Sequence, residues 1–215
     1  EPKINPVTQD NINEVIKTLG VLPDHNVRVF LGVEGKNDIA FFKNITSRLC
    51  QDDPTIPNLI QAEKDGFLVF IPLGGSSLSV WVDRLNGLNR PQFYLMDRDT
   101  EPPARPKYQT YYEQFRAEGH EAWITEKKEL ENYIHPTLIT EPGYEGTGTP
   151  FENVPLLLAK ATHINSESTE PWESLSEEKR KSKESSAKVR LNNHIASNMT
   201  LDRKSTRLNS SHRIR

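Results

Sequence analysis

Cysteine is almost absent from the sequence. One thiol, Cys50, in 215 residues excludes an internal disulfide and fits a cytoplasmic protein. No apolar run approaches the ~20 residues that cross a bilayer. Glu1-Pro2-Lys3 lacks the basic-then-apolar pattern of a secretion signal, so no membrane partner is expected. A nucleotide-binding Walker A loop is missing too: Gly32-Val33-Glu34-Gly35-Lys36-Asn37 is too short and has no Ser or Thr after the lysine. The histidines are scattered (His25, His120, His135, His163 and His194, with His212 in the tail), and no pair has the helical or hairpin spacing of a zinc site. At 34% hydrophobic and 27% charged residues the chain is polar but globular, long enough for one ordinary domain and an appendage.

The end of the chain reads as foreign. Asp202 to His212, DRKSTRLNSSH, is the translation of a common short-read sequencing adapter, so 202–215 is expected to be adapter read-through. That tail holds Arg203, Lys204, Arg207, Arg213 and Arg215 against Asp202; without it the net charge moves from −3 to −7. An acidic remainder argues against broad, non-specific phosphate binding but leaves room for a carboxylate site that recruits metal.

What the sequence does contain is an alternation. Val27–Val33, Gly66–Leu73, Gln92–Met96 and Glu121–Thr125 are short apolar runs bounded by polar residues, and read as buried strands. Between and around them, residues 8–19, 37–50 and 108–118 have helical periodicity, and a helix is expected from Gly74-Gly75-Ser76-Ser77 to about Leu85. Strands apolar on both faces, interleaved with amphipathic helices, predict a Rossmann-like α/β fold with four parallel strands flanked by helices. After Thr137 the pattern weakens. Gly143–Pro150 is rich in Gly, Thr and Pro, and Ser166–Ser186 in Ser, Glu and Lys, which predicts a polar loop before a last helix near Ser186–Ala196.

Ligands of parallel α/β sheets bind beyond the C-terminal ends of the strands. There the sequence places Glu34 and Asp38 after the first strand, Gly74 and Gly75 after the second, Asp97 and Asp99 after the third, and Glu129 and Glu131 after the fourth. Taken singly, each has a plain structural reading: a helix N-terminal acid, a turn, a solvated helix acid. Together, carboxylates gathered at one edge repel and raise one another's pKa unless a cation neutralises them. Hard divalent cations with oxygen ligands answer that need and suit phosphoryl transfer.

Val33-Glu34-Gly35-Lys36-Asn37-Asp38, Pro72-Leu73-Gly74-Gly75-Ser76 and Asp97-Arg98-Asp99 resemble, in order and spacing, the successive signatures of the TOPRIM domain. Type IA and II topoisomerases, bacterial primases and OLD-family nucleases share that domain. Lys127-Lys128-Glu129-Leu130-Glu131-Asn132-Tyr133 resembles the segment that closes the site in OLD-type nucleases. The resemblance spans Val27–Pro136. It implies a TOPRIM fold with a site for one or two Mg²⁺ (or Mn²⁺) ions and a metal-dependent DNA endonuclease activity, with phage defence as the setting. It gives Glu34 acid/base or metal-binding duty, makes Asp97 and Asp99 metal ligands, adds Asp38, and offers Glu131, with Glu129 behind it, as the late acid. Lys36, Gly74, Gly75, Ser76 and Arg98 are expected to meet phosphate. Lys183 and Lys188 are the candidates for a late basic residue.

The same resemblance implies an organisation: a connector helix over 1–22 from an upstream ABC-type ATPase domain, the catalytic domain over 27–136, a C-terminal region over 137–201, and homo-oligomerisation through the ATPase. DNA is the expected partner. Two rivals remain in the sequence. A non-catalytic TOPRIM module of a DNA repair protein has no need of Glu34, Asp97, Asp99 and Glu131 together. A phosphatase of the haloacid-dehalogenase type wants Thr or Val two residues after the second Asp of its motif, where this chain has Glu101, and places that motif after its first strand.

Overall fold

The computed structural model describes residues 27–74, 85, 90–166, 168 and 170–200. The expected connector over 1–22, Gly75, Ser76, most of the helix expected after them, and 202–215 lie outside the described residues.

The four apolar runs become β1 (Val29–Val33), β2 (Leu68–Pro72), β3 (Gln92–Met96) and β4 (Glu121–Ile124). They form one sheet in the order β2-β1-β3-β4, with every neighbouring pair parallel. β1 sits between β2 and β3, with Gly32 opposite Ile71 on one side and Tyr94 on the other. The chain leaves β1 toward β2 and returns to β3 on the opposite flank. The connections therefore diverge at the C-terminal ends of β1 and β3, where such sheets open a crevice.

Both faces of the sheet are covered. One face carries Phe30, Ile71, Leu73, Tyr94, Met96 and Ala122, closed over by Phe115 of α3 (Gln109–Ala117). Tyr94 stacks on Phe115 with ring centroids 3.9 Å apart. That ring crosses directly over Gly32, where an added Cβ would lie 2.5 Å from Tyr94 Cδ1, so β1 needs a glycine there for packing reasons. The other face carries Leu95 against Phe41, Phe42 and Ile45 of α1 (Lys36–Asp52) and against the C-terminal part of the chain. A short helix, α2 (Leu59–Lys64), which periodicity did not predict, is capped by Asn58, whose side chain accepts from the Gln61 amide.

The C-terminal part differs from the expectation. Val154–Ile164 is a helix, α4, whose start is marked by the Asn153 side chain accepting from the Leu156 amide and by Pro155 in the first turn. Glu177–Arg190, expected to be mostly polar loop, is a 14-residue helix, α5, capped by Ser176. It continues as a π-helical turn over Leu191–Ile195 and a 3₁₀ turn over Ala196–Asn198. Ala187 is its only buried residue before the π turn, so it lacks the apolar stripe that marks a helix in sequence. What holds it is packing at its ends and against α4: Leu158 and Leu191 are both completely buried in the core shared with Phe41, Leu130 and Trp172. Each such leucine contributes about 1.5–3 kcal/mol. The C-terminal helices thus belong to the same core as α1 and the sheet.

Candidate metal centre

The site is built at the divergence of β1 and β3. Glu34 follows β1, and its Oε1 accepts from the Asp97 amide at 3.1 Å, which ties the two strand ends together. Its Oε2 accepts from the Tyr108 hydroxyl at 3.4 Å. Asp38, in the first turn of α1, accepts from the Gly35 amide at 2.9 Å and so caps its own helix. Asp97 is buried at the end of β3. Asp99 adopts a left-handed backbone, φ 60°, fixed by its amide donating to the Lys128 carbonyl at 2.9 Å.

Glu129 and Glu131 lie on the segment after β4, around a 3₁₀ turn over Leu130–Tyr133. Leu130 enters the core between them. Asn132 locks the turn: its Oδ1 accepts from the Glu129 amide at 3.2 Å, and its Nδ2 donates to the Thr149 and Glu152 carbonyls. Lys127 also serves the turn, donating to the Asn132 carbonyl at 2.7 Å beneath the Tyr133 ring.

Carboxylate oxygens of Asp97, Glu129 and Glu131 come within 4.8 Å of one another, and all three residues are buried. This is the one such acidic group among the described residues. Glu131 has no exposed surface; its Oε1 accepts from Asn192 Nδ2 at 2.5 Å, while its Oε2 is buried without a hydrogen bond. Lys188 of α5 is paired with Glu129 Oε2 at 2.6 Å and stands 3.7 Å from Glu131 Oε2. Lys128 stands 3.5 Å from Glu129 Oε1.

The electrostatics match this crowding. Burial pushes the Asp97 carboxyl up to about 9, with the charges of Glu34, Asp38 and Glu131 adding to the rise and Lys188 opposing it. Burial also lifts Glu131 to about 7, against Lys188 and Asn192. Glu34 rises to about 7 through burial and the charge of Asp99. Asp38 rises mainly by burial. Burial works against the charge of Lys188, but Glu131 and Glu129 outweigh it and hold the ammonium strongly protonated. An orphaned buried oxygen and three converging carboxylates form a donor set that fits a hard divalent cation, which would satisfy that oxygen and relieve the repulsion.

The sequence-predicted residues are thus placed unevenly. Glu129 and Glu131 both stand in the acidic triad with Asp97. Asp38 lies near Asp97 but spends an oxygen on its helix cap. Asp99 points to Lys107 at 2.6 Å and is outside the triad. Gly74 lies beside Glu34, but its amide donates to the Glu34 carbonyl at 2.9 Å. Arg98 Nε donates to the Thr100 carbonyl at 3.1 Å, which turns the side chain toward its own loop. Lys36 is exposed at the first position of α1. Lys188 enters the site; Lys183 has no contact with its acids among the described interactions. Asn192, Lys107 and Tyr108 carried no motif or periodicity that would have singled them out.

No family model matches the chain, and no curated protein matches it. The chain is similar to a solved structure, the C-terminal region of the Burkholderia pseudomallei OLD protein, at 13% identity and a TM-score of 0.48, over 81% of this chain and 89% of that one.

Proposed function

We propose that this chain is the Mg²⁺-dependent endonuclease module of an OLD-like, ATP-dependent nuclease, with DNA as its substrate. The observation that carries the reading is the buried triad of Asp97, Glu129 and Glu131 at the open edge of a parallel sheet, with an unsatisfied Glu131 oxygen inside it. The order of the TOPRIM-like motifs supports it, because Glu34 and Asp97, from separate motifs, meet through a hydrogen bond.

Asp97, Glu129 and Glu131 would hold a divalent ion, which polarises a phosphate and lowers the pKa of a bound water. Glu34, poised at about 7 beside Asp97, is placed to take up a proton near neutral pH. Lys188 offsets the surplus negative charge of Glu129 and Glu131 and keeps both glutamates oriented. The upstream ATPase, oligomerisation through it and a role in phage defence belong to the same reading.

Plasmid cleavage by the whole chain with Mg²⁺, Mn²⁺ or EDTA, beside Asp97→Ala, tests it. Metal-dependent nicking that Asp97→Ala reduces to background is expected, with the variant keeping its fold by circular dichroism. Equal DNA binding with and without Mg²⁺ and no cutting under any condition would replace this reading with that of a DNA-binding module.

A further inference from the structure

Asp99 follows the Asp-x-Asp spacing of a metal-binding pair, yet its carboxylate is already engaged. Lys107 Nζ lies 2.6 Å from Asp99 Oδ2. The same ammonium sits 4.6 Å from the centroid of the Tyr108 ring, whose hydroxyl donates to Glu34. Burial works against the Lys107 charge, but hydrogen bonds to Asp99 and Tyr108 and the charges of Asp99 and Glu34 more than compensate and raise its pKa.

The loop that delivers Lys107 is ordered by its own bonds. Thr100 Oγ1 donates to the Arg105 carbonyl at 2.9 Å, the Ala104 amide to Glu101, and the Lys107 amide to the Arg98 carbonyl at 3.4 Å. From the other side, the Asp99–Lys128 backbone bond fixes the left-handed turn that carries Asp99 to this loop. Both partners are therefore held where they meet, and an ammonium on a short, ordered loop acts at high effective concentration.

We propose that Lys107 is the second cation of this site: its ammonium neutralises Glu34 and Asp99 where a second divalent ion would bind, so the chain takes one divalent ion, at Asp97, Glu129 and Glu131. This rests on the reading of that triad as a metal site. A divalent ion sits about 2.1 Å from a carboxylate oxygen, so at Asp99 it would have to displace the ammonium 2.6 Å from Oδ2, whereas at the triad Lys188, equally close to Glu129, leaves Glu131 Oε2 without a hydrogen bond for the ion to meet. It would also have to shed hydration water and overcome the repulsion of a neighbouring positive charge, whereas Lys107 is already in place.

Calorimetric titration of the whole chain with Mn²⁺ tests the proposal on wild type, Lys107→Met, Lys107→Arg and Glu131→Gln. Wild type and Lys107→Arg are expected to bind one ion per chain, and Lys107→Met two, because Glu34 and Asp99 are then left without a cation. The tight site should be lost in Glu131→Gln. Two ions on wild type, or one on Lys107→Met, overturns the role of Lys107 while leaving the triad reading in place. No ion on wild type overturns both. Lys107 is half exposed on a loop, so its replacement leaves the core untouched.

Discussion

Asn192 donates from Nδ2 to Glu131 Oε1 at 2.5 Å, and neither residue has any exposed surface. The asparagine is presented by a π-helical turn, which widens the helix by one residue, and it also donates to the Lys188 carbonyl at 3.0 Å. Its backbone carbonyl accepts from Asn44 of α1 at 2.7 Å, so the turn is clamped from both sides. Asn192 thereby fixes the carboxylate plane of Glu131 and acts as a positioning residue for the triad.

Asn192→Leu removes the donor while keeping a similar volume. Outer hydrogen bonds to metal ligands are worth roughly 10–100-fold in metal affinity. Mn²⁺ affinity by calorimetry should fall within that range in Asn192→Leu, and Asn192→Gln should recover part of it. A variant that loses thermal stability but binds Mn²⁺ as wild type does would assign Asn192 to packing alone.

The raised carboxyl groups predict how stability depends on pH and metal. Asp97 at about 9, and Glu34 and Glu131 at about 7, bind protons more tightly in the fold than in the unfolded chain, where the ordinary values are near 4. Between those limits the folded state carries more protons, so metal-free stability falls as pH rises. Their contribution is full below about pH 4, declines above it, and is lost beyond the folded value of Asp97. A divalent ion held by the triad would replace those protons. Melting temperatures in EDTA should therefore drop from pH 5 to pH 9, and the increment given by Mg²⁺ or Mn²⁺ should grow over the same range. A pH-independent increment would contradict the buried acidic triad.

Glu152 carries a different load. Its carboxylate accepts from the amides of Thr147, Gly148 and Thr149 and from both threonine hydroxyls, at 2.6–3.2 Å. Desolvation opposes its charge, but these bonds outweigh it and bring its pKa down to about 2. The loop it pins supplies the Pro150 carbonyl to the Lys128 amide and the Thr149 carbonyl to Asn132, so it braces the turn that carries Glu129 and Glu131. A lowered pKa gives stability present above the ordinary value near 4.5 and lost as pH falls toward 2. Glu152→Ala should cost about 1.5–3 kcal/mol at pH 7, read by urea unfolding, and flatten the acid limb of the stability profile.

The sheet and one half of the candidate site were legible in the sequence. Five-residue apolar runs such as Gln92–Met96, too short for a helix and bounded by polar residues, read as buried strands, and a parallel sheet sends the residues that follow them, Glu34 and Asp97, to one edge. The sequence also marked Glu129 and Glu131, by their place after the fourth strand and by the resemblance of 127–133 to the segment that closes the site in OLD-type nucleases. The packed chain decided the other half. The resemblance offered Lys183 and Lys188 alike, and only the fold brings Lys188, with Asn192, to Glu129 and Glu131 across 59 and 61 residues. Periodicity reports only the apolar face of a helix, and here the inward face of α5 carries polar side chains whose partners lie on another segment. The same holds for Asp99: the resemblance makes it a metal ligand, but a left-handed backbone, set by a bond to Lys128, turns it to Lys107. Backbone direction at one residue and pairing across sixty are properties of the packed chain, because both are settled by which buried polar groups find partners.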